Sequence, residues 1–205
     1  GLVTIPVNVT NNTGTAAYLN AWIDFNNNGS ASDAGEQIAT NLPVPDGTTG
    51  AAINVTFDVP TGASVGNGRG ARFRLTGTAT PGPTGSGGAG EVEDYIVAVA
   101  APTLDYADFH LFPSATSVAN NRLRIGALVD VEGQATTNAT ATGDDTTGSD
   151  DEDGVTVPAS ITQGTGTSLT VNVTNTIGST AYLNAWIDFN GNGVLTDAGE
   201  QIASN

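Results

Sequence analysis

One passage occurs twice in the 205-residue chain, and this repetition constrains the fold more than any other feature. AWIDFNNNGSASDAGEQIA at residues 21–39 returns as AWIDFNGNGVLTDAGEQIA at residues 185–203. At the implied offset of 164, residues 1–41 align with residues 165–205, and 26 of these 41 pairs are identical. A repeat of long period predicts modules in tandem, each contacting mainly its neighbours. We therefore expect the chain to be a segment of a longer array.

Apolar residues alternate with other residues along several short segments, among them residues 19–25, 53–59 and 71–75. Alternation with a period of two predicts strands that bury one face. Stretches rich in Gly, Pro and Asn, such as NLPVPDGTTG, separate these segments and favour turns. The sequence therefore predicts an all-β fold, with antiparallel β-sandwich modules in tandem and a loop-rich connector between them.

The charge of the chain is strongly one-sided. Asp and Glu number 21 against five basic residues, which gives a formal net charge of −16. This charge argues against nucleic acid or anionic lipid as a partner, because both are polyanions. It favours divalent cations, which would relieve the self-repulsion of the folded chain. The absence of cysteine excludes disulfides, zinc thiolate sites and thiol nucleophiles, and no apolar run approaches the ~20 residues of a membrane helix.

The repeated passage carries an oxygen-rich loop with a calcium-type spacing, D-x-N-x-N-G. Calcium prefers several hard oxygen ligands, and a glycine at the sixth position permits the sharp turn that aims them at one centre. The closing glutamate falls thirteenth and not twelfth as in an EF-hand, and a strand precedes the loop. The open alternative is an ordinary polar turn. The predicted calcium ligands are Asp24, Asn26, Asn28, Asp33 and Glu36 in the first copy, and Asp188, Asn190, Asn192, Asp197 and Glu200 in the second.

Two further acidic clusters are candidate metal sites. In GEVEDY, Glu91 and Glu93 are expected on one face of a strand and Asp94 on the other. Like charges side by side are unfavourable unless a cation or an arginine lies between them. The second cluster is the acidic run GDDTTGSDDEDG, and its candidate ligands are Asp144, Asp145, Asp150, Asp151 and Asp153. The alternative interpretation of this run is a solvated acidic linker.

The order of these motifs resembles that of the GEVED domain, which occurs repeatedly in large secreted or cell-surface bacterial proteins. The resemblance implies a β-sandwich, an extracellular or bacterial cell-surface location, and a structural or adhesive role without catalytic activity. It is carried by AWIDFNNNG (21–29), DAGEQI (33–38), RFRLT (72–76) and GEVEDY (90–95), and by the connector segments LDYADF (104–109), IGALVDVEGQ (125–134) and GDDTTGSDDEDGV (143–155).

The resemblance also implies the phase of the modules. Residues 1–100 are expected to form a GEVED-like sandwich that lacks its first strand, and residues 153–205 the first half of the next sandwich. Residues 101–152 are expected to form an acidic connector or a small β module. Such incomplete sandwiches expose sheet edges, so we expect neighbouring repeats or identical subunits to join by strand addition or end-to-end packing.

Two functions follow as hypotheses. The first is a structural repeat unit of an extracellular filament, adhesin stalk or biofilm matrix protein, rigidified by calcium. The second is a calcium-dependent carbohydrate-binding module of a secreted protein, in which Trp22, Trp186, Tyr18 and Tyr182 would contact glycans; their strand positions favour packing instead. We expect no enzyme, because no carboxylate pair stands out in an apolar setting and His110 is the only imidazole.

Overall fold

Strands make up the regular secondary structure, as the alternating pattern predicts. The computed structural model describes residues 2–79, 81–143 and 151–205, and within these ranges no residue is helical, so none of the described segments is a helix able to cross a membrane. The all-β prediction is confirmed. The strands are β1 (Leu2–Asn11), β2 (Ala17–Ile23), β3 (Gln37–Val44), β4 (Thr48–Asp58), β5 (Gly66–Thr76), β6 (Gly90–Val99), β7 (Leu104–Tyr106), β8 (Thr116–Val118), β9 (Leu123–Ile125), β10 (Val155–Thr156), β11 (Thr170–Val171), β12 (Val173–Asn175), β13 (Ala185–Trp186) and β14 (Gln201–Ala203).

Contacts divide the chain into unit 1, Gly1–Ala101, and unit 2, Pro102–Asn205. Unit 1 contains two antiparallel sheets. One pairs β1 with β4, and the other has the strand order β3-β2-β5-β6. Antiparallel neighbours need no crossover, so the loop after β2 returns the chain directly to β3, whereas the turn after β3 carries the chain to β4 of the other sheet.

One hydrophobic core takes residues from both sheets of unit 1. Val9 and Val55 come from the β1–β4 sheet, whereas Leu19 and Phe73 come from the four-stranded sheet. The rings of Phe25 and Phe57 also meet, with centroids 6.2 Å apart. A core shared between two sheets is what a sandwich requires, and the sandwich itself stays a prediction.

Arginines cover the face of the four-stranded sheet that points away from this core. Arg72 and Arg74 of β5 lie opposite Trp22 and Asn20 of β2, so all four side chains share one face. Arg74 donates hydrogen bonds to the carbonyl oxygens of residues 82, 84 and 85, at 2.6, 3.2 and 3.1 Å. The loop between β5 and β6 is thereby fixed, and Trp22 is only 3% exposed.

Unit 2 consists of short strand pairs. β10 pairs with β11, and β9 pairs with β12. These pairings join residues 123–125 and 155–156 to the segment 170–175, so the expected connector and the start of the next module fall within one contact unit. The division at residues 152 and 153 stays a prediction.

The two copies of the repeat fold alike locally. The side-chain amide of Asn11 donates to the Thr15 carbonyl at 2.8 Å, and that of Asn175 donates to the Ser179 carbonyl at 3.0 Å. Asn41 and its counterpart Asn205 both adopt a left-handed backbone, with φ of 49° and 48°. The shared sequence therefore encodes the same turns in both units.

Truncation of Leu19 tests the shared core. Leu19 is 1% exposed, and Leu19→Ala should lower the free energy of unfolding by about 2–5 kcal/mol through lost burial and a residual cavity. Urea unfolding followed by Trp22 fluorescence, in a Trp186→Phe background, measures unit 1 alone. The matched control is Ile96→Ala, since Ile96 is 74% exposed and its loss should cost within about 0.5 kcal/mol. Equal losses would contradict the described core.

Candidate metal site

The first loop (residues 24–36) connects β2 to β3 and is anchored at both ends. The Ile23 amide donates to the Glu36 carbonyl at 2.9 Å, and the Asp24 amide donates to the Gly70 carbonyl of β5 at the same distance. These bonds extend the sheet up to the first residue of the loop. The side chains of the loop are therefore presented from a fixed base.

Asp24 organises the turn itself. Its two carboxylate oxygens accept the backbone amides of Asn28 at 3.1 Å and Gly29 at 2.9 Å. The turn needs left-handed backbone at Asn27 and Gly29, with φ of 60° and 83°, a conformation that glycine adopts without steric cost. The carboxylate of Asp24 is thus held over the curved backbone and is largely buried.

Asn26 and Asn28 converge on Asp33. Their side-chain nitrogens both donate to Oδ2 of Asp33, at 2.8 and 2.6 Å. These two bonds favour the ionised carboxylate, the one from Asn26 most, and they lower the pKa of Asp33. The amide oxygens face the other way and accept the backbone amides of Asn28 and Ser30.

Glu36 closes the first loop from the β3 side. It is 2% exposed, and its carboxylate accepts the backbone amides of Asn26 at 3.4 Å and Asp33 at 3.2 Å. The structure therefore brings all five predicted residues of the first copy into one hydrogen-bond network.

The second loop (residues 188–200) repeats this arrangement. Asp188 accepts backbone amides from residues 191, 192 and 193, at 2.6, 3.2 and 2.8 Å. These bonds, with that of Gly193 contributing most, lower the pKa of Asp188. Asn190 and Asn192 both donate to Oδ2 of Asp197 at 2.8 Å. The two loops thus share the pair of asparagine bonds to Asp33 and Asp197, whereas Asp188 accepts one backbone amide more than Asp24.

Glu200 is where the two loops differ. It is 2% exposed, as is its counterpart Glu36, yet its carboxylate oxygens accept no hydrogen bond from any described residue. An ionised carboxylate buried without a partner is strongly unfavourable. In the second loop, consequently, no donor among the described residues offsets the burial of the Glu200 carboxyl group.

The donor set of each loop suits calcium. It offers three carboxylates and two amide oxygens, all hard ligands, and the bare carboxylate of Glu200 provides an oxygen free to bind. In the described ranges no three His, Cys, Asp or Glu side chains are already grouped around a common centre. The Asn nitrogens now face Asp33 and Asp197, so the amides must reverse to turn their oxygens toward a cation.

Asp94 of the GEVEDY strand is engaged by an arginine. Both of its oxygens accept from Arg72, at 2.7 and 2.6 Å, and this bidentate pair lowers the pKa of Asp94 and raises that of Arg72. Gly90 precedes it at the start of β6, where any side chain would collide with the Leu75 carbonyl. The close approach of β5 and β6 therefore requires this glycine.

Glu91 and Glu93 point to the opposite face of β6 from Asp94. They lie across from Leu75 and Phe73, and Glu93 accepts the Tyr95 hydroxyl at 2.7 Å, which raises the pKa of Tyr95. The structure thus separates Asp94 from the other two candidate ligands of this cluster, as the alternation of a strand requires.

The acidic cluster before the second copy is described only in part. Both oxygens of Asp153 accept the Ala127 amide, at 3.0 and 3.1 Å, and Asp151 accepts the Asp130 amide at 3.3 Å. These two residues tie the cluster to the segment after β9. The candidate ligands Asp144, Asp145 and Asp150 lie outside the described residues.

The arginines of β5 are the residues that sequence reasoning missed. RGARFRLT places Arg72 and Arg74 at alternate positions, with the buried Phe73 between them. That spacing puts both guanidinium groups on the face opposite the core. The spacing therefore predicts the face that both arginines share, whereas the pairing of Arg72 with Asp94 follows from the register between β5 and β6.

Comparison with known protein families identifies one domain in the chain. The profile of the GEVED domain matches residues 18–98, from β2 into β6. The chain therefore contains a GEVED domain at these residues, which confirms the resemblance of the motifs within them; the resemblance of the connector segments and the tandem repetition of the domain stay predictions. No curated protein matches the chain, and no solved structure does.

The Arg72–Asp94 pair predicts a pH-dependent contribution to stability. Because the folded-state pKa of Asp94 lies below the ordinary value of 3.8, the contribution is present above that value and is lost as the pH falls through the lowered one. Their side chains are 36% and 59% exposed, so Asp94→Asn should cost at most about 1 kcal/mol at pH 7. Urea unfolding of both proteins measures the difference. A loss that persists unchanged at pH 2 would contradict this assignment.

Proposed function

We propose that this chain is a structural repeat unit of an extracellular filament, adhesin stalk or matrix protein, rigidified by calcium bound in the first and second loops. The observation that carries the proposal is the duplicated loop. The same set of Asp, Asn and Glu residues occurs twice, 164 residues apart, each time in a loop between two strands.

Calcium is supported by the electrostatics of both loops. Each loop gathers three carboxylates in a chain of net charge −16, and Glu200 lies buried without a donor in the described chain. A divalent cation would balance these charges and crosslink the two ends of each loop, since Asp24 follows β2 and Glu36 precedes β3. The loop would then stiffen the strand pair that carries it.

The repeat period supports an extended assembly. Modules in tandem contact mainly their neighbours, so neighbouring repeats or identical subunits would join by strand addition or end-to-end packing. The GEVED domain and the absence of lysine support an extracellular or cell-surface location. We assign no catalytic role; the ring nitrogen Nδ1 of His110 lies 2.9 Å from the Asn138 carbonyl, a packing contact within the connector.

Calcium-dependent carbohydrate binding is the alternative, and one observation favours it. Tyr182 and Trp186 in the second copy are 70% and 43% exposed, and exposed aromatic rings suit the stacking of sugars. The first copy argues against it, because Trp22 is buried on the arginine-covered face. The structural role therefore accounts for both copies, and sugar binding for one at most.

Removal of calcium tests the proposal. At a calcium concentration ~100 times the dissociation constant, binding to the folded state alone adds about 2.7 kcal/mol, so Tm should rise with calcium and fall with EGTA. Magnesium at the same concentration is the control, because it sheds its water reluctantly and should have a smaller effect.

A matched pair of variants locates the effect. Glu36→Gln and Glu200→Gln each remove one carboxylate from one loop, so each should lower the number of calcium ions bound per chain, as counted by native mass spectrometry. If the Tm of the unsubstituted chain is the same in calcium and in EGTA, the proposal that the loops bind calcium is wrong.

A further inference from the structure

A close backbone approach joins the second loop to the connector. Gly193 is the sixth residue of this loop, and a Cβ at its position would lie 2.8 Å from the carbonyl oxygen of Leu111. Any larger residue would push the two segments apart, because glycine alone lets two backbones come so near. Leu111 belongs to the expected connector, and both residues lie in unit 2. The second loop therefore contacts the connector at a point where only glycine fits.

The glycine at this contact is held by candidate calcium ligands. Its amide donates to Oδ2 of Asp188 at 2.8 Å, and the amide of the next residue, Val194, donates to the side-chain oxygen of Asn192 at 2.7 Å. Its backbone is left-handed, with φ of 77°. A cation that fixes Asp188 and Asn192 would therefore also fix the residue that contacts the connector.

On the connector side the contact is made by a hydrogen-bonded turn, residues 109–112. The Phe112 amide donates to the Phe109 carbonyl at 3.2 Å, and the His110 amide donates to the carbonyl of residue 138 at 3.0 Å. The rings of Phe109 and Phe112 pack edge to face, with centroids 4.8 Å apart. The contacting carbonyl lies between these bonds, so its position is tied to that of the whole turn.

A strand pair attaches the connector to the second copy at another place. β9 pairs with β12 through three residues of each strand, and the Arg122 carbonyl accepts the Thr176 amide at 2.7 Å. A pair of strands by itself is marginally stable, and one attachment leaves the two segments free to pivot about it. The contact between Gly193 and Leu111 supplies a second attachment.

The loop at this second attachment contains a group that destabilises it without a cation. Glu200 is 2% exposed, and neither of its carboxylate oxygens has a donor among the described residues. Burial without a partner destabilises the loop conformation that encloses the group. A calcium ion bound by Asp188 and Glu200 would stabilise this conformation, and with it the position of Gly193.

We propose that calcium bound in the second loop fixes the connector to the second copy of the repeat, through the contact between Gly193 and the Leu111 carbonyl. The inference rests on the proposed function and names the joint that calcium rigidifies. Because the coupling between two binding events is reciprocal, docking of the connector turn also strengthens calcium binding in this loop.

Hydrogen exchange in the unsubstituted chain tests the joint. The amides of His110 and Phe112 are followed by mass spectrometry in a peptide that covers the connector turn, once in calcium and once in EGTA. Calcium should slow their exchange by about tenfold, which is an ordinary size for coupling between two sites. If the Tm rises with calcium and this exchange stays the same, the joint is overturned and the proposed function stands. If the Tm does not change with calcium, both are overturned.

Two alanine variants locate the contact. Gly193→Ala places a Cβ against the Leu111 carbonyl, whereas Gly191→Ala places one where no described atom lies within 4 Å. Both glycines are left-handed, with φ of 77° and 71°, so the two variants strain the same loop alike. Gly193→Ala should abolish the protection of the connector turn by calcium, and Gly191→Ala should retain most of it. Equal protection in two variants that bind equal calcium would overturn the proposal.

Two glutamine variants give the same test without a change at either glycine. Glu200→Gln removes a carboxylate from the second loop and should abolish the protection of the connector turn, whereas Glu36→Gln removes one from the first loop and should leave it. Protection that survives Glu200→Gln, or that is lost in Glu36→Gln, would contradict the assignment of the joint to the second loop.

Discussion

Burial of a glutamate side chain directly before β3 and directly before β14 is the constraint around which both repeat copies are built. Glu36 and Glu200 are each 2% exposed, and a buried charge must be matched by donors or by a counter-charge. In the first loop two backbone amides serve Glu36, and Asp24 shapes the turn that aims them. In the second loop the same burial occurs without donors in the described chain. A cation bound separately in each loop, as we propose, would give both glutamates the same partner.

The two faces of the four-stranded sheet of unit 1 differ in how their charged side chains are paired. On the outer face Arg72 pairs with Asp94, Arg74 donates to three carbonyls of the loop between β5 and β6, and Trp22 is buried. On the inner face Glu91 and Glu93 lie across from Leu75 and Phe73, and the described residues place no arginine beside them.

Much of this arrangement could be predicted from the sequence. Alternation located β2, β4 and β5, and the spacing from Asp24 to Glu36 predicted which side chains would meet, because a tight turn brings alternate residues together. The partner of Asp94 could not be predicted with the same tools, since it depends on the register between β5 and β6. Likewise, nothing in the near-identical sequences of the two loops signals that Glu36 finds donors while Glu200 does not.

Electron microscopy of the native material tests the central claim most directly. The account predicts fibres in calcium with an axial repeat of one 164-residue period, which bend more sharply or come apart when EGTA removes the metal. Dispersed particles of single chains in calcium, with no fibre at any protein concentration, would contradict it.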